Sequence, residues 1–458
     1  MMHDMTTGPI RGHVLRMMAF MLVFMVVQTL YSLIDIYWVG RLGKEAIAAV
    51  SLSANLMFIS IAISQMIAVG TVAMVSQAAG RKDQDEVQRL FNQSNSLSVV
   101  VTLFAGVLGY AFKHLYVDTL ASDAQTAALA NSFLDWFLPA VALQFCMVGL
   151  GSSLRGIGNM KPGTVASVGS VLLNMVLAPF LIFGWLGFPQ MGVAGAGLAT
   201  LIATIASIVG LVVYLARKAT FLRVDFAQWI PDWKLWGRML MIGLPAGSEF
   251  ILMSIILGLI YVVIRPFGPE AQGGFGVGMR IMQAGFLPAV CLAFGAAAVA
   301  GQNYGAKKFD RVRGTFVESA KLAIGFMIFF TFACHLAPEA MVRVFSKEPG
   351  VVAVGSDYLR FISYNYVASA LIMISGAMFQ GLGNTWPSLA ASASRLVLFI
   401  APVIWLSHQP GFNLHQVWWT SVTSVALQAT FSLLLLRREF RRKLTAPAPI
   451  PAAVAVAQ

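Results

Sequence analysis

From Met17 to Ile34 the chain carries no charged residue, and after Asp35 the next is Arg41. The same pattern recurs to the end of the sequence. Uncharged runs cover Ala46 to Gly80, Leu90 to Phe112, Trp136 to Leu154, Pro162 to Ala216, Ile281 to Ala306, Phe361 to Ser394 and Leu396 to Leu436. A membrane-crossing helix takes about 20 apolar residues, so the longest runs hold two spans each. Turn residues divide them: GWLGFPQMG at Gly184 to Gly192 breaks one, and HQPGFNLHQ at His408 to Gln416 breaks another. The pattern predicts twelve spans, at 13–38, 45–70, 90–112, 125–148, 163–186, 193–216, 238–264, 272–299, 315–337, 352–378, 387–407 and 413–436. The fold class is therefore an all-α polytopic membrane protein.

Composition agrees, with 58% hydrophobic and 11% charged residues and a mean hydropathy of +0.77. A net charge of +12 would suit nucleic acid, but its distribution points to a membrane instead. With the N-terminus inside, cytoplasmic segments hold 21 of the 31 Lys and Arg, whereas the far side holds only Arg41, Lys44, Lys113, Arg265, Arg343 and Lys347. Positive charge is retained on the cytoplasmic side, so a multi-pass inner-membrane protein with both termini in the cytoplasm is expected. The first apolar segment is too long for a cleavable signal peptide. Cys146, Cys291 and Cys334 sit inside spans and read as small apolar residues. His3, His13, His114, His335, His408 and His415 show no metal-ligand spacing, and no phosphate loop or HExxH is present. Neither an enzyme nor a metal or organic cofactor is expected, and a monomer is.

The chain also resembles itself. GKEA at Gly43 to Ala46 matches GPEA at Gly268 to Ala271, Gln77 and Gly80 match Gln302 and Gly305, and GIGNMKP at Gly156 matches GLGNTWP at Gly381, all at an offset of 225 residues. Three ungapped landmarks at one offset indicate duplication. Each half holds six spans, an even number, so the halves should be related by an axis along the membrane normal. The expected organisation is an N-terminal six-helix lobe at 1–218, a cytoplasmic linker at 219–237, a C-terminal lobe at 238–443 and a disordered Pro/Ala tail at 444–458. Taken singly, Gly80 and Gly305 read as helix C-caps, and Pro162 and Pro387 as first-turn prolines.

VGRLG after Asp35, GQNYGAKKFDRV after the eighth span and the paired GLGN-type loops resemble the multidrug and toxic compound extrusion (MATE) family, and the end of the first span resembles its DinF-like branch. The resemblance implies export of organic, often cationic, compounds in exchange for H⁺ or Na⁺. It also implies a cation-coupling site in the first half, made by Asp35 with Asn174 and Thr200. Asp35, Tyr31, Gln28 and Met175 are the expected substrate contacts. Two departures matter. Family members often carry Asp one helical turn after the Asn, where this chain has Ala178, which argues for H⁺ over Na⁺. Many also have Pro early in the first span, where this chain has Phe20; its repeat partner is Pro245.

The repeat is a control for Asp35, because its counterpart is Ile260 and so the fold does not require an acid there. An Asp in the membrane costs about 2.5–3.5 kcal/mol on insertion scales, which marks it as functional. Glu249 and Arg280 are secondary candidates, and Glu249, Arg280, Arg360 and Arg395 are expected to pair with one another. The methionine-rich MMAFMLVFM at Met17 to Met25 suits either a cavity for varied apolar cations or a lipid-facing surface. Expected partners are small organic cations or other amphipathic drugs and membrane lipid, with no nucleic acid. A lipid-linked oligosaccharide flippase of the same superfamily and a Na⁺-coupled exporter are the alternative readings.

Overall fold

A computed structural model describes residues 3–121, 123–218 and 222–445, without the side chains of 32, 33 and 218. The expected disorder of the tail concerns residues outside these from 446 onward, as do linker residues 219–221. Among the described residues the fold is helical throughout. The first half comprises α1 (Ile10–Gly40), α2 (Lys44–Gly80), α3 (Gln84–Leu120), α4 (Ala124–Gly156), α5 (Lys161–Phe183) and α6 (Val193–Lys218). The second comprises α7 (Trp233–Ile264), α8 (Pro269–Gly305), α9 (Phe309–Leu336), the short α10 (Pro338–Arg343), α11 (Pro349–Ile362), α12 (Asn365–Gly381), α13 (Trp386–Ser407) and α14 (Leu414–Lys443).

Local chemistry sets the starts. Asp83, Asp123 and Asp232 each accept a backbone N–H in the first turn of α3, α4 and α7, and Asn413 forms a reciprocal capping box with Gln416 at α14. Pro162 and Pro387 do sit in the first turns of α5 and α13. Several helices outrun the predicted spans. α2, α3 and α8 have 37 residues each, about 55 Å at 1.5 Å per residue, and so extend well beyond a hydrocarbon core of about 30 Å.

The tenth predicted span, 352–378, is not one helix. It is α11 and α12, bent by 55° at Ser363 and Tyr364, whereas eleven other helices are long and apolar enough to cross a membrane alone. No Pro or Gly marks the break. Instead the Ser363 hydroxyl donates back to the Arg360 carbonyl, and Thr331 of α9 donates to the Ser363 carbonyl at 3.1 Å. Side chains that enter a helix ladder in this way bend it. Large apolar side chains stay exposed along the spans, as at Leu103, Phe104 and Val107 of α3, where a bilayer would cover them.

Within the first half α4 packs on α2, α3 and α6; within the second, α8 packs on α9, α11 and α12. The halves meet where α1 lies on α8 and α2 lies on α7 and α8. These two contacts are repeat images of each other. A Cβ built at Gly295 of α8 lies 3.2 Å from the Val14 carbonyl oxygen, and at Gly70, its repeat mate, it lies 2.2 Å from the carbonyl of Met239, the mate of Val14. The α2–α7 side is tighter because α7 has Gly243 where α1 has Met18. Met17, Met18 and Met21 are buried against the second half, and the Cys291 sulfur lies 3.4 Å from that of Met25. The methionine cluster is therefore seam packing rather than the cavity lining or lipid-facing surface expected from sequence.

Candidate coupling site and the seam between the halves

Gln28, Tyr31 and Asp35 fall at i, i+3 and i+7 on α1 and so share one face. α1 runs unbroken from Ile10 to Gly40, consistent with Phe20 at the position of Pro245. It packs on α5, which carries Asn174, and touches α6, which carries Thr200. Thr200 is the hub. Its hydroxyl oxygen accepts from the Asn174 amide at 3.0 Å, lies 3.4 Å from the Tyr31 hydroxyl and donates to the Ala196 carbonyl at 3.1 Å. Tyr31, Asn174 and Thr200, from three helices, thus form one hydrogen-bonded set.

Asp35 stands one turn above Tyr31, close enough for the phenol to feel its charge. It is half-buried and makes neither a hydrogen bond nor an ion pair among the described residues. Asn174 is only 3% exposed, whereas Gln28, Tyr31, Thr200 and Met175 are half-buried and retain access to the surroundings. Ala178, one turn beyond Asn174, is 1% exposed and lies in an apolar cluster with Val39, Phe133 and Leu181. The site therefore combines one acid with neutral oxygen donors, a set that can hold a proton or a single positive charge.

The other intramembrane charges do not pair as expected. Arg280 is exposed on α8 and has no ion partner among the described residues. Arg360 is also exposed and reaches Glu339 at 4.0 Å. Glu249 lies near the Ser388 hydroxyl with its Oε1 buried and without a partner among the described residues, and Arg395 lies near Tyr358 with Nε unpartnered. The four residues sit on four different helices, α7, α8, α11 and α13, and among the described residues none of them pairs with another. Glu249 and Arg280 are thus not brought into the Asp35 set.

The repeat landmarks meet at the opposite end of the helices. Gln77 donates to the Gly381 carbonyl at 2.9 Å, and Gln302 donates to the Gly156 carbonyl at 3.2 Å. Both members of each bond differ by 225 residues from the members of the other, so the halves exchange one symmetric pair of hydrogen bonds. Gly80 and Gly305 do more than end helices. A Cβ at Gly80 would lie 1.9 Å from the Gln302 carbonyl oxygen, and one at Gly305 would lie 2.0 Å from that of Gln77. The sequence signal was present in the shared offset, but a glycine at a helix end looks the same whether it caps or touches another helix.

A duplicated bundle of membrane helices, closed at one face by a symmetric seam and carrying acids within its spans, is the architecture of a membrane transporter. A family model for MatE matches residues 21–180 and again 245–406. The chain belongs to this family of membrane transporters. It is 24% identical over 421 residues to the probable multidrug resistance protein YoeA of Bacillus subtilis, spanning 90% of this chain and 89% of that one. It is 22% identical to an FAD transporter of Shewanella oneidensis, over 88% of this chain and 89% of the other. Among solved structures, one described as the outward-facing conformation of a multidrug resistance MATE family transporter of the MOP superfamily superposes with a TM-score of 0.88, at 23% identity, covering 97% of this chain and 98% of that one.

Proposed function

We propose that the protein is a proton-coupled antiporter of the DinF-like kind that exports organic, often cationic, compounds, with Asp35 as the site shared by proton and substrate. The supporting observation is the cluster of Tyr31, Asn174 and Thr200 beside an Asp35 that has no hydrogen bond or ion pair among the described residues. A half-buried carboxylate without a countercharge binds either H⁺ or an organic cation, and the two exclude each other electrostatically. H⁺ is preferred over Na⁺ because Ala178 leaves the site with a single acid. Multidrug resistance relatives favour an amphipathic drug as substrate. Purified protein in liposomes should concentrate ethidium against its gradient when a pH gradient alone is imposed. Transport that runs only on a Na⁺ gradient would sink the choice of ion, and no transport on either would sink the reading.

We also propose that the seam faces the cytoplasm. The N-terminal segment and the turns after α2, α4, α8 and α12 all gather there, and with the adjoining helix ends, the linker and the end of α14 they carry 21 of the 31 Lys and Arg. Cysteines placed at the exposed Lys82 and Lys307 should react with a membrane-impermeant maleimide only in inverted vesicles. Labelling in intact cells would reverse the orientation.

A further inference from the structure

The segment before α1 is not a loose end. Met5 is fully buried, its N–H donates to Gln302 Oε1 at 3.0 Å and its carbonyl accepts from Asn303 Nδ2 at 3.2 Å. Lys308 donates to the Thr6 carbonyl at 2.8 Å, and Arg311 donates to the Gly8 carbonyl at 2.9 Å and to Asn303 Oδ1 at 2.9 Å. All of these partners belong to the second half. On the first half, the His3 N–H donates to the Ile157 carbonyl at 3.0 Å, and the Asp4 carboxylate lies 3.9 Å from Lys82. Residues 3–8 therefore cross the seam and hold both sides of it.

The same Gln302 that bonds to Gly156 accepts from Met5, so the segment braces one of the two symmetric interhalf hydrogen bonds. Among the described residues the other, Gln77 to Gly381, has no such brace. The linker before α7 is the repeat counterpart of this segment: Gln93 and Arg89 of α3 bind the Gln228 and Ile230 carbonyls and the Asp232 carboxylate. The linker joins the two halves covalently, whereas residues 3–8 lie outside the stretch of chain between them.

We propose that residues 3–8 form a releasable strap that locks the seam closed, so that opening this face to take up substrate requires the strap to undock from Gln302, Asn303, Lys308 and Arg311. The inference rests on the antiporter reading above, taken to work by alternating access, in which the seam opens and closes in turn. Its observable is the distance between the halves, which needs no substrate. Spin labels at Asp85→Cys and Asp310→Cys, two exposed repeat-related positions flanking the seam, in protein whose native cysteines are replaced, report that distance in lipid nanodiscs. Deleting residues 3–8 should raise the ratio of open to closed populations by about tenfold or more, the factor that the loss of one or two net hydrogen bonds gives. Arg311→Met, which keeps the segment and removes its guanidinium anchor, should raise it less but in the same direction. Unchanged populations in both variants, while the unmodified protein shows two populations, overturn the strap and leave the transport reading standing. A single distance in every form at all pH values and substrate concentrations overturns alternating access and the strap with it.

Discussion

Asp35→Asn should abolish pH-driven ethidium transport while leaving the protein folded. Asn has nearly the shape of Asp, and because Asp35 makes no hydrogen bond or ion pair among the described residues, the change orphans no partner. The Tyr31, Thr200 and Asn174 bonds do not pass through it and should persist. What disappears is the group that can alternate between charged and neutral. Each pH unit supplies about 1.4 kcal/mol per proton, enough for about a tenfold substrate gradient, and with no proton bound in exchange that driving force cannot reach the substrate. In a one-for-one exchange of H⁺ for a monovalent cation a membrane potential would add nothing, because 100 mV contributes about 2.3 kcal/mol only per net charge moved. Efflux from proteoliposomes under an imposed pH gradient, alongside thermal unfolding in detergent, separates loss of coupling from loss of fold. Wild-type rates in the Asn variant would remove Asp35 from the mechanism.

Gly80→Val and Gly305→Val should each disable transport by a different route, keeping the seam from closing. The Cβ of either variant meets a backbone carbonyl of the other half, at 1.9 Å for Gly80 and 2.0 Å for Gly305. A relaxed carbon–oxygen contact is about 3.3 Å, and a backbone oxygen cannot rotate away as a side chain can. α2 and α8 must separate, which also pulls Gln302 from Gly156 and Gln77 from Gly381. Overpacking costs about 1–3 kcal/mol, so the closed form should lose about 5- to 150-fold in population relative to the open one. The two variants should behave alike because the repeat relates them. Interhalf distance measurements on the seam side and efflux assays test this together; a closed seam with normal efflux in either variant would refute it.

The hydrophobic pattern alone determined the class, the number of crossings and nearly all of their positions, because the need for about 20 apolar residues leaves an unmistakable trace. The common offset determined the two-fold repeat. It also isolated Asp35, since Ile260 shows that the fold works without an acid at that turn. Helical periodicity placed Gln28, Tyr31 and Asp35 on one face of α1, and the family resemblance supplied Asn174 and Thr200. That these residues lie together was decided by the packing of α1 against α5 and α6.

Five features were decided only in three dimensions. The break between α11 and α12 arises from Thr331 capturing a carbonyl on a different helix, with no Gly or Pro to announce it. The intramembrane arginines and Glu249 do not pair with one another, because pairing depends on which faces the bundle turns together. The methionines of α1 became seam packing, and Gly80 and Gly305 became points of backbone contact. The N-terminal segment, polar and short, has no periodicity to reveal that Gln302 and Arg311, about 300 residues away, hold it. Periodicity and composition report how each helix meets the bilayer, because every helix faces the same solvent. Contacts between the halves pair particular atoms from distant stretches, and only the folded chain specifies which ones meet.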